Sequence, residues 1–221
     1  MKYGETTFII LYLIFSIGFG IYMIIKHKDK RSLLMGFASL ILGLGDSFHL
    51  VPRVLNYFVE YDFNAALGIG KLITSITMTF FYLFMFHILK DMLYISKHRL
   101  LTISIYLIAL VRIMLLALPG NDWINNSNDV LYGIIRNIPF TLLGLIIVLL
   151  YYFDKKRYNF KNIWIYITLS FIFYLIVVIG APYVKLLGMF MIPKTICYML
   201  IIMAFYNYMI GDKNENFSDG I

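Results

Sequence analysis

The chain has 221 residues, of which 61% are hydrophobic and 14% charged, with a formal net charge of +7. A water-soluble domain of this length needs more polar surface than that composition supplies, and the mean hydropathy of +0.81 points the same way. The basic residues gather between apolar blocks, so membrane lipids are the expected partners and nucleic acid is not.

The apolar residues come in long blocks rather than stripes. This predicts an all-α, polytopic membrane protein of one domain with seven transmembrane helices. Spans are expected at about 6–25, 33–57, 65–89, 100–118, 138–153, 163–179 and 193–210. The first block lacks a basic start and a small-residue cleavage site, so it reads as a retained span rather than a signal peptide. It ends in Lys26-His27-Lys28-Asp29-Lys30-Arg31. The second is followed by the acidic Val59-Glu60-Tyr61-Asp62, and the third by Lys90-Asp91. A polar loop over 119–129 follows the fourth. The fifth is read from Ile138, with the apolar stretch 130–135 as an alternative start. Gly180-Ala181-Pro182 breaks the sixth. Residues 183–192 are read as a re-entrant loop or an outer extension of the sixth helix, and Gly211 opens the closing tail.

Loop charge orients the chain. Lys26, Lys28, Lys30, Arg31, Lys90, Lys97, Arg99, Lys155, Lys156, Arg157, Lys161 and Lys213 fall on one side. The other side has Lys2, Arg53, Arg136, Lys185 and Lys194, with Lys71 and Arg112 embedded. The positive-inside rule then places the N-terminus outside and the C-terminus in the cytoplasm of a multi-pass cell-membrane protein.

The most informative stretch is Gly45-Asp46-Ser47-Phe48-His49-Leu50-Val51-Pro52-Arg53. At about 100° per residue, positions 46, 49 and 53 share one sector of a helix. Ionisable groups at membrane depth are costly and mark polar interiors. Lys71 is expected about 9 Å deep, on a face shared with Gly68, Ser75 and Thr79. Arg112 is expected at similar depth, and Arg136 and Lys194 start the fifth and seventh spans. These cations and Asp46 predict an outward-open polar, cationic cavity. A structural ion pair of Asp46 with Lys71 or Arg112 is the plain alternative, as snorkelling is for Arg53, Arg136 and Lys194. Pro52 removes a helix hydrogen bond and frees the Phe48 carbonyl beside His49. His27, His87 and His98 lie away from this region.

A metal site needs three or four clustered ligands, and only Asp46 and His49 qualify, so no metal is expected. No dinucleotide-binding, P-loop or HExxH motif is present, and no cofactor is expected. Cys197, the only cysteine, reads as a small core residue. The scattered glycines read as close helix contacts.

The string Ser39-Leu40-Ile41-Leu42-Gly43-Leu44-Gly45-Asp46 resembles the Gly-Asp-containing helix of the lysoplasmalogenase family of polytopic membrane proteins. The likeness covers this one helix. That family's second acidic motif has no counterpart, since spans six and seven carry no Asp or Glu. A broader likeness is to seven-span hydrolases of the alkaline ceramidase and adiponectin-receptor type, whose late HxxxH is absent here. In topology the chain is also similar to three-plus-one-plus-three sugar and vitamin transporters.

The leading expectation is a hydrolase or transferase acting on an anionic lipid-like substrate. Asp46 and His49 would carry the chemistry, with His49 as the proton-exchanging group. Arg53, Lys71, Arg112, Arg136 and Lys194 would bind phosphate or carboxylate. The alternatives are a transporter or seven-helix receptor for a small anion, and a structural or partner-binding protein.

Overall fold

The computed structural model describes residues 2–93, 99–127, 129–153, 160 and 162–218. The side chains of 91–93, 185 and 212–218 are outside that description, as are the expected loop cations Lys97, Lys155, Lys156, Arg157 and Lys161. Seven helices hold the described chain: α1 Lys2–Ile25, α2 Lys30–Leu55, α3 Asn64–Leu93, α4 Arg99–Leu116, α5 Val130–Phe153, α6 Ile163–Gly180 and α7 Met191–Ser218. There is no strand among the described residues. Each helix is long and apolar enough to cross a membrane. At about 1.5 Å per residue, even the 18-residue α4 and α6 approach the thickness of a hydrocarbon core.

Consecutive helices pack side by side and α7 returns to α1, closing a ring; α3 also meets α5, and α2 meets α7. Residues 56–63, 117–127 and 181–190 lie at one end of the bundle, the upper end. Met78, Phe81, Tyr82, Met85, Phe86 and Leu89 of α3 are buried at the centre. Exposed Leu and Ile side chains cover the outside, as lipid-facing helices require.

Local chemistry explains several boundaries. Asp29 starts α2 by accepting from the Ser32 backbone N–H at 2.8 Å, while the Ser32 hydroxyl meets the Asp29 N–H, a complete capping box. At the other end of the bundle, Asn121 Nδ2 donates to the carbonyls of Leu115 and Leu118, and the Trp123 indole donates to Leu116 at 2.9 Å. These bonds satisfy the last carbonyls of α4. Trp123 is therefore a helix-capping residue of the upper loop.

The fifth helix begins at Val130, the earlier of the two starts, and carries Pro139 inside it. Asn137 Nδ2 donates to the Gly133 carbonyl and the Thr141 hydroxyl to the Asn137 carbonyl, one bond on each side of the proline. Residues 183–192 do not extend the sixth helix, which ends at Gly180. A 3₁₀ segment, Lys185–Phe190, runs directly into α7. The seventh helix also continues past Gly211 to Ser218, so the expected tail is mostly helical.

Glycines set the spacing between helices. A Cβ at Gly20 would lie 2.7 Å from the Leu40 backbone nitrogen, and one at Gly36 would lie 2.9 Å from that of Ile24. These contacts bring α1 and α2 to backbone distance. Gly70 does the same between α3 and α2, where a Cβ would stand 2.7 Å from the His49 Cα.

Candidate functional site

Asp46 lies on the side of α2 that faces α1 and is 6% exposed. Its Oδ2 accepts from the Tyr12 hydroxyl at 2.6 Å. Neither Lys71 nor Arg112 forms an ion pair with it among the described residues. A charge-assisted bond of this length satisfies one lone pair of the carboxylate without a cation. Lys194 is within electrostatic reach of Asp46.

His49, one turn on, faces α3. Its Nδ1 is 2.8 Å from the Thr74 hydroxyl, which in turn donates to the Gly45 carbonyl at 2.9 Å. A hydroxyl carries one proton, so Thr74 accepts from His49 and the ring proton sits on Nδ1. Nε2 is then the basic nitrogen of the neutral ring. The two residues expected to carry chemistry thus have separate partners, Tyr12 for one and Thr74 for the other. They remain within electrostatic reach of each other.

Arg53 pairs with Glu5, Nη2 to Oε1 at 2.6 Å, and the Tyr57 hydroxyl donates to the other Glu5 oxygen at 2.7 Å. The Arg53 side chain is 43% exposed, so the pair sits at the surface of the upper end. Burial and the bond to Glu5 push the Tyr57 phenol above its ordinary pKa.

Lys71 donates to Asn126 at 2.7 Å, and Arg136 donates to Asn121 at 2.9 Å with its guanidinium 4.7 Å from the Trp123 ring centre. Both cations hold the upper loop over the bundle. Asp122 and Asn126 adopt left-handed backbone, at φ 42° and 52°, to bring that loop round. Gly68 admits it, since the Trp123 carbonyl occupies the space a Cβ would take.

Lys194 turns inward, with Nζ 4.9 Å from the Tyr174 ring centre and 5.2 Å from that of Tyr198. Arg112 is the most enclosed of all, at 2% exposure. Its guanidinium carbon lies 3.4 Å from the Phe140 ring centre. Such a contact contributes about 2 kcal/mol when desolvated. Burying an ion costs several kcal/mol, so the ring alone does not offset the burial.

One cavity of about 440 Å³ opens among α1, α2, the 3₁₀ segment and the start of α7. Phe8, Ile9, Leu50, Leu186, Met191 and Ile192 make most of its wall apolar. Glu5 and Arg53 mark its charged edge, and Tyr12 brings the far side of the Asp46 bond to its surface. Of the seven expected site residues, Arg53 is the one that lines it. No cluster of three potential metal ligands occurs among the described residues.

Sequence reasoning passed over Glu5, Tyr12 and Thr74. A signal was present for two of them. Glu5 lies on the same side of the bundle as Arg53 in any seven-span reading. Tyr12 sits inside its span rather than at an end, where a phenol needs a partner.

No protein-family model, curated protein or solved structure matches this chain.

Proposed function

We propose that this multi-pass membrane protein, oriented with its N-terminus outside, is a receptor or carrier for an anionic lipid-like amphiphile. The observation that carries the reading is the 440 Å³ apolar cavity with Arg53 at its edge. An acyl chain matches the wall, and a phosphate or carboxylate matches the guanidinium, which binds such groups through paired hydrogen bonds. Glu5 holds Arg53 until a ligand anion competes for it, and the half-exposed pair is weak enough to exchange. The basic residues of the opposite face support the orientation, and the upper end would then open to the outer leaflet.

The test is ligand retention. Protein in neutral-lipid nanodiscs is offered lysophosphatidic acid, a fatty acid and neutral lysophosphatidylcholine, and bound lipid is measured by native mass spectrometry. The two anionic amphiphiles are retained, the neutral one is not, and Ile192→Trp or Arg53→Gln lowers retention several-fold. Equal retention of the neutral lipid, or no effect of Ile192→Trp, overturns the reading.

A second reading is a hydrolase or transferase. It draws on His49 Nε2, left basic by the Thr74 bond, and on Asp46, joined to the cavity wall through Tyr12. Release of a cleaved product by the wild type, lost in His49→Gln, favours this reading over simple binding.

A further inference from the structure

Arg112 brings a positive charge into the bundle with no carboxylate paired to it among the described residues. Its Nε and Nη1 are shielded from solvent and have no hydrogen-bond partner among the described residues, and the Tyr82 hydroxyl is in the same condition. The guanidinium lies on the Phe140 ring, and the Tyr82 ring meets that ring edge-on at 5.3 Å. Tyr82, Tyr174 and Tyr198 are all within electrostatic reach of Arg112. Lys194, over the rings of Tyr174 and Tyr198, adds a second cation to the group.

None of the neighbouring acceptors reaches Arg112 Nε or Nη1 in hydrogen-bond geometry among the described residues. Asp46 Oδ2 takes the Tyr12 hydroxyl, and Asn137 Oδ1 takes the Tyr174 hydroxyl at 2.6 Å. The Ser170 and Tyr198 hydroxyls stand beside that of Tyr82, and Ser170 Oγ gives its own proton to the Ile167 carbonyl. Buried N–H and O–H groups in proteins are nearly always paired, and an unpaired guanidinium is the most costly of them to leave unmade. The cluster is therefore rich in donors and in positive charge, and Arg112 Nε and Nη1 lack an acceptor. Lys194 and Arg112 set against Asp46 leave an excess of one positive charge.

We propose that this cluster is an internal binding site for a small monovalent anion of the halide or nitrate class, held by Arg112 Nε and Nη1 and the Tyr82 hydroxyl. The anion supplies the missing acceptor and neutralises the excess charge. Divalent oxyanions are excluded by charge, and bulky carboxylates by the aromatic walls. The site is separate from the amphiphile cavity, whose lining does not include Arg112, and does not depend on that function.

The experiment uses the full chain in neutral-lipid nanodiscs. Thermal unfolding is followed in sodium chloride, bromide, nitrate, sulfate and gluconate at matched ionic strength. Chloride, bromide and nitrate raise Tm in a saturable way, while sulfate and gluconate do not. Arg112→Gln abolishes the saturable rise, and Tyr82→Phe moves its midpoint to several-fold higher concentration. Arg53→Gln leaves it unchanged. In chloride NMR, the wild type broadens the chloride line and added nitrate reverses the broadening. Identical Tm values in all five salts, a full anion response in Arg112→Gln, or broadening that Tyr82→Phe leaves intact overturns the proposal. The Tyr82→Phe arm decides the matter even where Arg112→Gln does not fold.

Discussion

The Tyr12 hydroxyl and the Asp46 carboxylate meet at 2.6 Å across the α1–α2 contact. The bond joins a residue of the cavity wall to the buried acid in the upper half of α2. Removing the phenol leaves that carboxylate without its donor, a loss of about 1–3 kcal/mol. Tyr12→Phe is therefore expected to lower unfolding stability by that amount. Combining it with Asp46→Leu should cost less than the two single changes together, because the second change removes the group left unpaired. A double-mutant cycle from reversible unfolding in mixed micelles checks this. Strict additivity would show that the two residues do not act on each other.

The α2–α3 seam gives the second expectation. A methyl at Gly70 would stand 2.6 Å from the Phe48 carbonyl carbon and 2.7 Å from the His49 Cα, both backbone atoms that cannot rotate away. The helices must part, which costs about 1–3 kcal/mol in a packed interior. Gly18 on α1 has nothing within 4 Å of its Cβ position. Gly70→Ala should lower Tm clearly, whereas Gly18→Ala should leave it level or raise it slightly through better helix propensity. Parallel melting curves make the comparison, and equal effects would dissociate the seam from stability.

Hydropathy made the seven helices legible, because a lipid-facing helix has to be apolar over its whole length. Boundaries blurred where that signal did not apply. The polar Arg136 and Asn137 interrupt the apolar run ahead of Ile138, yet the helix starts at Val130 and runs on through Pro139. Helical spacing placed Asp46 and His49 on one sector, but their partners stand on different neighbours, α1 and α3. Sequence periodicity gives a face and not the helix opposite it. The cations at the upper end were legible as a group. Their division into a surface pair at Arg53, loop clamps at Lys71 and Arg136, and a guanidinium laid on the Phe140 ring at Arg112 depends on tertiary packing alone.

Orientation is open to a direct check. The asymmetry of basic residues predicts that the lower end faces the cytoplasm. A reporter enzyme fused after Phe153 should be active as a cytoplasmic enzyme, and one fused after Tyr183 as an exported one. The reversed pattern would place Glu5, Arg53 and the cavity on the cytoplasmic side, and the amphiphile would then be drawn from the inner leaflet.

His49 carries the last expectation. The Thr74 hydroxyl donates to Gly45 and so accepts from His49, which fixes the ring proton on Nδ1. Imidazole nitrogen chemical shifts of the labelled protein should therefore show a single Nδ1–H tautomer at neutral pH. Thr74→Val removes the acceptor and should give a mixture of the two tautomers, with a modest loss of stability of about 1 kcal/mol. This separates the two functional readings as well. In a hydrolase or transferase that uses Nε2 as its base, Thr74→Val lowers turnover by weakening the correct tautomer, without abolishing it. In a receptor or carrier, the same change leaves amphiphile retention intact, because neither Thr74 nor His49 lines the cavity. An unchanged tautomer signal in Thr74→Val would show that the hydrogen-bond relay from His49 through Thr74 to Gly45 does not set the ring.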